Sequence, residues 1–249
     1  MALNANNVPR TSSGKRAPIL DEGAYPARLV QVIDLGLQPQ REWAGEAKPP
    51  AYELQTVYES SDEFMPDEDG NPDETKPRWF WDDFKLYSLK SDLATSTKRY
   101  YALDPNEEAN GDWAQLIGRP VIIALTKTKG RDGTEYNNVG GTSSMRPKEA
   151  AKLPELVNEP KVFDLGDPDI EVFLTLPQRL QDKIKTNLNF EGSLLQKRLK
   201  DHKAPTKDEV KKPAPKEEVV EEDDIPFDLK GEKNKHGVPA EVVDDDKDW

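Results

Sequence analysis

The stretch Gly23–Leu37, GAYPARLVQVIDLGL, decides the fold. Simple alternation puts Leu29, Gln31, Ile33 and Leu35 on one side and Arg28, Val30, Val32 and Asp34 on the other. Both sets are apolar at their centre, so the stretch reads as a strand whose middle is buried on both faces. Gly36, Pro39 and residues 43–50 then make a loop. The next alternating run sets Tyr52, Leu54, Thr56 and Tyr58 against Glu53, Gln55, Val57 and Glu59, a second strand.

Residues 60–77 are dense in Asp, Glu and Pro. They read as an inter-strand loop, too long for a tight turn and too polar to be buried. A third strand, RWFWDDFKLY over residues 78–87, is the most aromatic part of the chain. Residues 89–103 suit a helix or a strand equally. Residues 112–117 read as a short helix that Gly118 ends as its C-terminal cap. Two further strands, 119–127 and 134–139, flank the glycine-rich turn KGRDG at 129–133 and form a hairpin. Five strands with a helix ahead of the fourth is the element order of an OB barrel. Beyond it, residues 164–173 read as irregular. Leu176, Leu180 and Ile184 stand at i, i+4 and i+8 behind Pro177, so a terminal helix is expected to pack on the barrel. The fold expected is mainly β: a five-stranded OB-fold-like barrel over residues 19–198 with a few short helices and disordered termini. Those termini are a flexible arm at 1–18 and an acidic tail at 199–249.

Composition supports that division. A hydrophobic fraction of 35% against a charged fraction of 33% is too polar for the whole chain to surround one core. The net charge of −13 argues against affinity for phosphate if it is averaged over the chain. It is not evenly spread: residues 201–249 hold 16 acidic and 9 basic side chains, which leaves the body closer to balance. There is no cysteine, hence no disulfide or thiolate chemistry, and the only histidines, His202 and His236, fall in the tail. No secretory h-region and no long apolar run is present, so a cytoplasmic protein without a membrane partner is expected.

Aromatic and basic residues interleave in three places: Arg78, Trp79, Trp81, Lys85 and Tyr87; then Lys98, Arg99, Tyr100 and Tyr101; then Lys127, Lys129, Arg131 and Tyr136. OB barrels that hold single strands stack bases on aromatic faces and follow phosphates with cations, which makes these the candidate DNA-binding residues. The competing reading places Trp79 or Trp81, with Phe80 and Phe84, in the core. Two apparent motifs fail on context. Pro66-Asp67 followed by Glu74-Thr75-Lys76 imitates a metal-dependent nuclease signature without an apolar framework, and the acidic run from Asp67 has Pro72 where a calcium loop needs Gly. No glycine-rich phosphate loop occurs, so no cofactor, no metal and no enzymatic activity are expected.

In the tail, EEDDIPF at 221–227 resembles the acidic tip of bacterial single-stranded-DNA-binding proteins, although it lies inside the chain. The end of the chain, DDDKDW at 244–249, resembles the acidic, aromatic-tipped tails of phage single-stranded-DNA-binding proteins, with Trp where Phe is commoner. In the body, residues 23–36, LIGRPV at 116–121, YNNV at 136–139 and LPQRLQDKI at 176–184 look like segments of phage proteins of this OB class. The resemblance spans about residues 20–190. It implies a sequence-independent coat for single-stranded DNA in replication or recombination. Asp223, Asp224, Ile225, Pro226, Phe227, Asp244, Asp245, Asp246, Asp248 and Trp249 would then recruit replication or recombination proteins. Carboxylates give such a segment long-range attraction to basic pockets, and the aromatic gives it an anchor. A homodimer is left open by the sequence. The alternative class is an acidic DNA mimic or assembly protein that binds a host protein instead of DNA.

Overall fold

The computed structural model describes residues 17–42, 44–130 and 133–202. Five long strands form one curled antiparallel sheet: β1 (Gly23–Gln38), β2 (Ala51–Pro66), β3 (Pro72–Lys85), β4 (Pro120–Lys129) and β5 (Glu135–Ser143). Their order across the sheet is β3-β2-β1-β4-β5. Helix α1 (Thr95–Leu103) and a 3₁₀ turn (Trp113–Leu116) fall between β3 and β4, as in an OB barrel. The 3₁₀ turn is capped by the Asp112 side chain and followed by Gly118 at φ 77°, the left-handed stop expected there. The sequence leaves residues 89–103 open between helix and strand; residues 95–103 resolve as the helix and residues 89–94 as turns leading into it.

β1 organises everything else, through two irregularities that alternation does not reveal. A bulge lies between Leu29 and Gln31, and a second register shift lies between Asp34 and Gly36. The first reverses the facing of the strand. Leu29 therefore joins Val32 in the barrel interior, while Ile33 and Leu35 face outward into a second core, which corrects the grouping of Leu29 with Ile33. The interior core also takes Leu54, Tyr58, Phe80, Phe84, Tyr100, Trp113 and Ile123. On the outer core sit Phe163, Phe173, Leu176, Leu180, Ile184 and Leu195.

These outer residues come from a C-terminal layer. After the single-turn α2 (Pro147–Ala150), a short strand β6 (Lys161–Phe163) pairs in parallel with β1 at Gln31–Ile33, beyond the point where β4 has left it. Helices α3 (Ile170–Thr175), α4 (Gln178–Lys185) and α5 (Leu194–Asp201) follow. The expected apolar stripe of Leu176, Leu180 and Ile184 packs as read, and it is joined by α3, where an irregular segment was expected. Gly36 marks the contact between layers. At φ +77°, a Cβ there would stand 2.9 Å from both Asn187 Cγ and Leu165 Cδ1. Helix α5 runs on to Asp201, past the expected boundary at residue 198.

The expected loop at 60–77 is instead the far end of a β2–β3 ribbon, closed by a turn at Asp67–Asn71. Asp67 Oδ1 accepts from the amides of Asp69 (3.0 Å) and Asn71 (2.8 Å), and Gly70 takes φ 92°. The polar composition is tolerated because the ribbon projects beyond the core, and the carboxylate of the false calcium motif is a turn-former.

β3 and β5, the two ends of the sheet, share no ladder. Two plugs close the seam. Buried Arg99 of α1 donates from Nε to Asp82 Oδ2 on β3 (2.6 Å) and from Nη2 to the carbonyl of Val139 on β5 (3.3 Å). Farther along, residues 18–20 cross the gap. Arg78 of β3 donates to the carbonyl of Pro18 (2.7 Å), while Asn137 of β5 exchanges hydrogen bonds with the backbone of Leu20 (2.9 Å each). Burial pushes the Asp82 carboxyl up, and Arg99 offsets this only in part. Replacing Arg99 by Ala strands that carboxylate in the interior and opens the seam. The expected loss is about 3–5 kcal/mol in urea unfolding, and a loss near zero would show that the plug is dispensable.

Candidate nucleic-acid interface

Cross-strand pairing fixes which candidates share a face. Trp79 lies opposite Glu59, Trp81 opposite Val57, Asp83 opposite Gln55 and Lys85 opposite Glu53. The intervening Phe80 and Phe84 are in the interior core, so Trp79, Trp81, Asp83 and Lys85 project from the outer face of an edge strand. Tyr87 continues the row just past the strand. Trp81 is 44% exposed and Tyr87 48%, whereas Trp79 is half-buried and donates from Nε1 to Glu59 Oε2 (3.3 Å). The two tryptophans stand roughly 7 Å apart along the strand.

The same row contains a carboxylate that works against phosphate. Lys183 of α4 neutralises it, reaching Glu53 Oε2 (2.9 Å) and Asp83 Oδ2 (3.2 Å) together. Lys85 is half-buried and Lys98 is exposed on α1, and neither makes an ion pair with a described residue. Lys85 stands in the row with Trp81 and Tyr87, while Lys98 projects from α1.

Other candidates are placed elsewhere by packing. Tyr100, at 1% exposure, is a core residue: its hydroxyl donates to Asp104 Oδ2 (3.2 Å) and accepts from the Gly111 amide (2.6 Å), and its ring meets Tyr101 and Trp113 edge-on. Tyr101 is half-buried against the interior cluster. Arg99 and Arg78 are buried seam plugs, and the Arg78 guanidinium lies 5.7 Å from the Phe80 ring centre. Helical periodicity buries one face of α1, and Arg99 and Tyr100 are on it, leaving Lys98 outside.

The β4–β5 hairpin forms a separate patch. Lys127 pairs with Asp21 (2.7 Å) and Lys129 with Glu135 (3.3 Å), and Asp21 holds the Lys127 ammonium above its ordinary range. Both pairs are open to water, so salt or a competing phosphate can exchange them. Tyr136 is half-buried with its hydroxyl enclosed and without a partner among the described residues. Arg131 lies outside the described residues, as do all the tail residues named above. Among the described residues no group of His, Asp or Glu could hold a metal ion, and no helix is long and apolar enough to cross a membrane.

Sequence reading did not single out Arg28, Glu59 or Lys183, which organise the outer face. Arg28 offered one signal, a charged residue inside an apolar strand. Glu59 and Lys183 offered none, because their partners are about 100 residues away in the chain.

Asp104 anchors the segment that leaves α1. Burial alone would raise its carboxyl, but the amides of Ala109 and Glu108, with Arg119, outweigh that and hold it below the ordinary value of 3.8. The stabilisation is therefore complete above about pH 4 and fades as pH falls through the lower folded value. Asp104→Asn should lower the midpoint of urea unfolding at pH 7 and flatten its decline between pH 4 and 2. An unchanged acid limb would show that other carboxylates set it. A scan of protein-family models found no match to the chain, and searches of curated proteins and of solved structures found none either.

Proposed function

We propose that the protein binds single strands of DNA without reading their sequence, during replication or recombination, and catalyses nothing. The observation that carries this reading is the outward row on the edge strand of an OB-like sheet: Trp81 and Tyr87 exposed, Lys85 beside them, and the intervening Asp83 neutralised by Lys183. Each stacked base contributes about 1–3 kcal/mol, independent of base identity because every base has a π-face. The hairpin lysines supply a second, salt-sensitive contact when phosphate replaces Asp21 and Glu135. The acidic tail, with Phe227 and Trp249 as anchors, would recruit replication or recombination proteins.

A second reading has its own support. The net charge is −13, and Lys127, Lys129, Lys183 and Arg99 are all matched to carboxylates. An acidic surface of this kind suits a DNA mimic or assembly factor seated on a basic host protein.

Filter binding of oligo(dT) over a salt series separates the two. Binding at low salt that weakens steadily as salt rises is expected, and no retention at any salt would favour the mimic. Trp81→Ala should weaken binding by about 1–3 kcal/mol, roughly 5- to 150-fold, with the melting temperature nearly unchanged. A large melting shift instead would assign Trp81 a structural role.

A further inference from the structure

Arg28, Glu59 and Trp79 face one another on β1, β2 and β3, forming one row across the outer face next to Trp81. Arg28 and Glu59 are cross-strand neighbours of opposite charge, yet they do not pair. Both instead bind one passing segment, residues 153–158. Arg28 donates from Nε to the carbonyl of Pro154 (2.7 Å) and from Nη2 to that of Leu153 (3.2 Å), while its Nη1 holds the Gly118 carbonyl (2.7 Å). Glu59 accepts from the amides of Val157 (2.7 Å) and Asn158 (3.2 Å) and from Asn158 Nδ2 (2.7 Å).

The segment is held by these polar contacts rather than by its own side chains. Pro154, Glu155 and Val157 are exposed, Leu153 and Leu156 are only half-buried, and a cavity of about 370 Å³ lies between the segment, the row and Phe64. A strand of backbone with few buried apolar contacts opens locally at low cost. It also has an alternative arrangement available. If the segment lifts, Arg28 and Glu59 can pair with each other, so neither charge is stranded.

We infer that residues 153–158 are a displaceable strap covering the second half of the binding surface, and that a single-stranded nucleic acid lifts it. With the strap in place Trp79 stays half-buried against Glu59, and the free stacking faces are those of Trp81 and Tyr87. With it lifted, Arg28 neutralises Glu59, which would otherwise repel phosphate, and Trp79 joins Trp81 and Tyr87 as a further platform, one base step from Trp81 along β3. The ligand supplies the difference between the two arrangements, because the base stacked on Trp79 is gained only in the lifted one. This inference rests on the proposed binding of single strands.

Hydrogen exchange at the Val157 and Asn158 amides, with and without oligo(dT), tests the strap directly. Bound oligonucleotide is expected to speed exchange at both amides several-fold. Asn158→Ala removes one strap bond and leaves the Glu59 charge intact, so it should tighten oligo(dT) binding by about 2- to 10-fold, the range for one hydrogen bond. Val157→Pro, which deletes the donor to Glu59 Oε1, is an independent second variant with the same expected direction, and circular dichroism verifies that both fold. Oligonucleotide that binds while leaving these amides unmoved or slower, or variants that bind no tighter, would overturn the strap and spare the binding. If the wild-type protein and both variants bind no oligonucleotide at any salt, the binding reading fails and the strap's role falls with it. Tighter binding by Glu59→Gln alone, without Asn158→Ala or Val157→Pro, would reduce the effect to electrostatics and overturn the strap as well.

Discussion

The most buried link across the open seam of the sheet is one ion pair, Arg99 with Asp82, extended to the Val139 carbonyl. A five-stranded sheet curled this far leaves unpaired edges on β3 and β5, and unpaired buried backbone groups are costly. A continuous ladder would remove the edges, but the two strands diverge. A guanidinium is long enough to span the gap and has donors for both sides. Its position on α1 ties the helix to the seam, which in turn fixes Tyr100 and Trp113 over the interior core.

Because the interior is closed in this way, β2, one strand in from the edge, is covered on both faces along its middle. Its inner face meets the barrel core. Its outer face receives the C-terminal layer at one end, where Glu53 pairs with Lys183 of α4, and the 153–158 segment at the other, where buried Glu59 accepts from Val157 and Asn158. What remains open on the outer face is the far edge, β3. The exposure of Trp81 and Tyr87 is thus a consequence of how much of the sheet the chain covers with its own later segments.

The bulge at Val30 lets one strand serve two cores. Without it, Ile33 and Leu35 would alternate into the interior alongside Leu29, and α3, α4 and α5 would have no apolar face to dock on. The second irregularity, at Gly36, brings Asn187 and Leu165 within van der Waals contact of the backbone, closer than any side chain would permit. Two local departures from strand geometry in one element therefore decide the two-layer architecture.

The amino-acid sequence by itself determined the element order of the barrel, the two-sided burial of β1, the capped turn before Gly118, the β4–β5 hairpin and the apolar stripe of α4. All of these follow from local periodicity and turn chemistry, which neighbouring residues carry. Tertiary structure alone decided which aromatic faces solvent. Trp79 and Trp81 occupy equivalent alternating positions, but Trp79 is half-buried and bonded to Glu59, itself held by the amides of residues 157 and 158, while Trp81 is exposed. It likewise decided that Arg99 and Tyr100 are interior while Lys98 is not, since that depends on where α1 lies against the seam. Contacts such as these join residues tens to a hundred positions apart, and no pattern within a strand or helix records them.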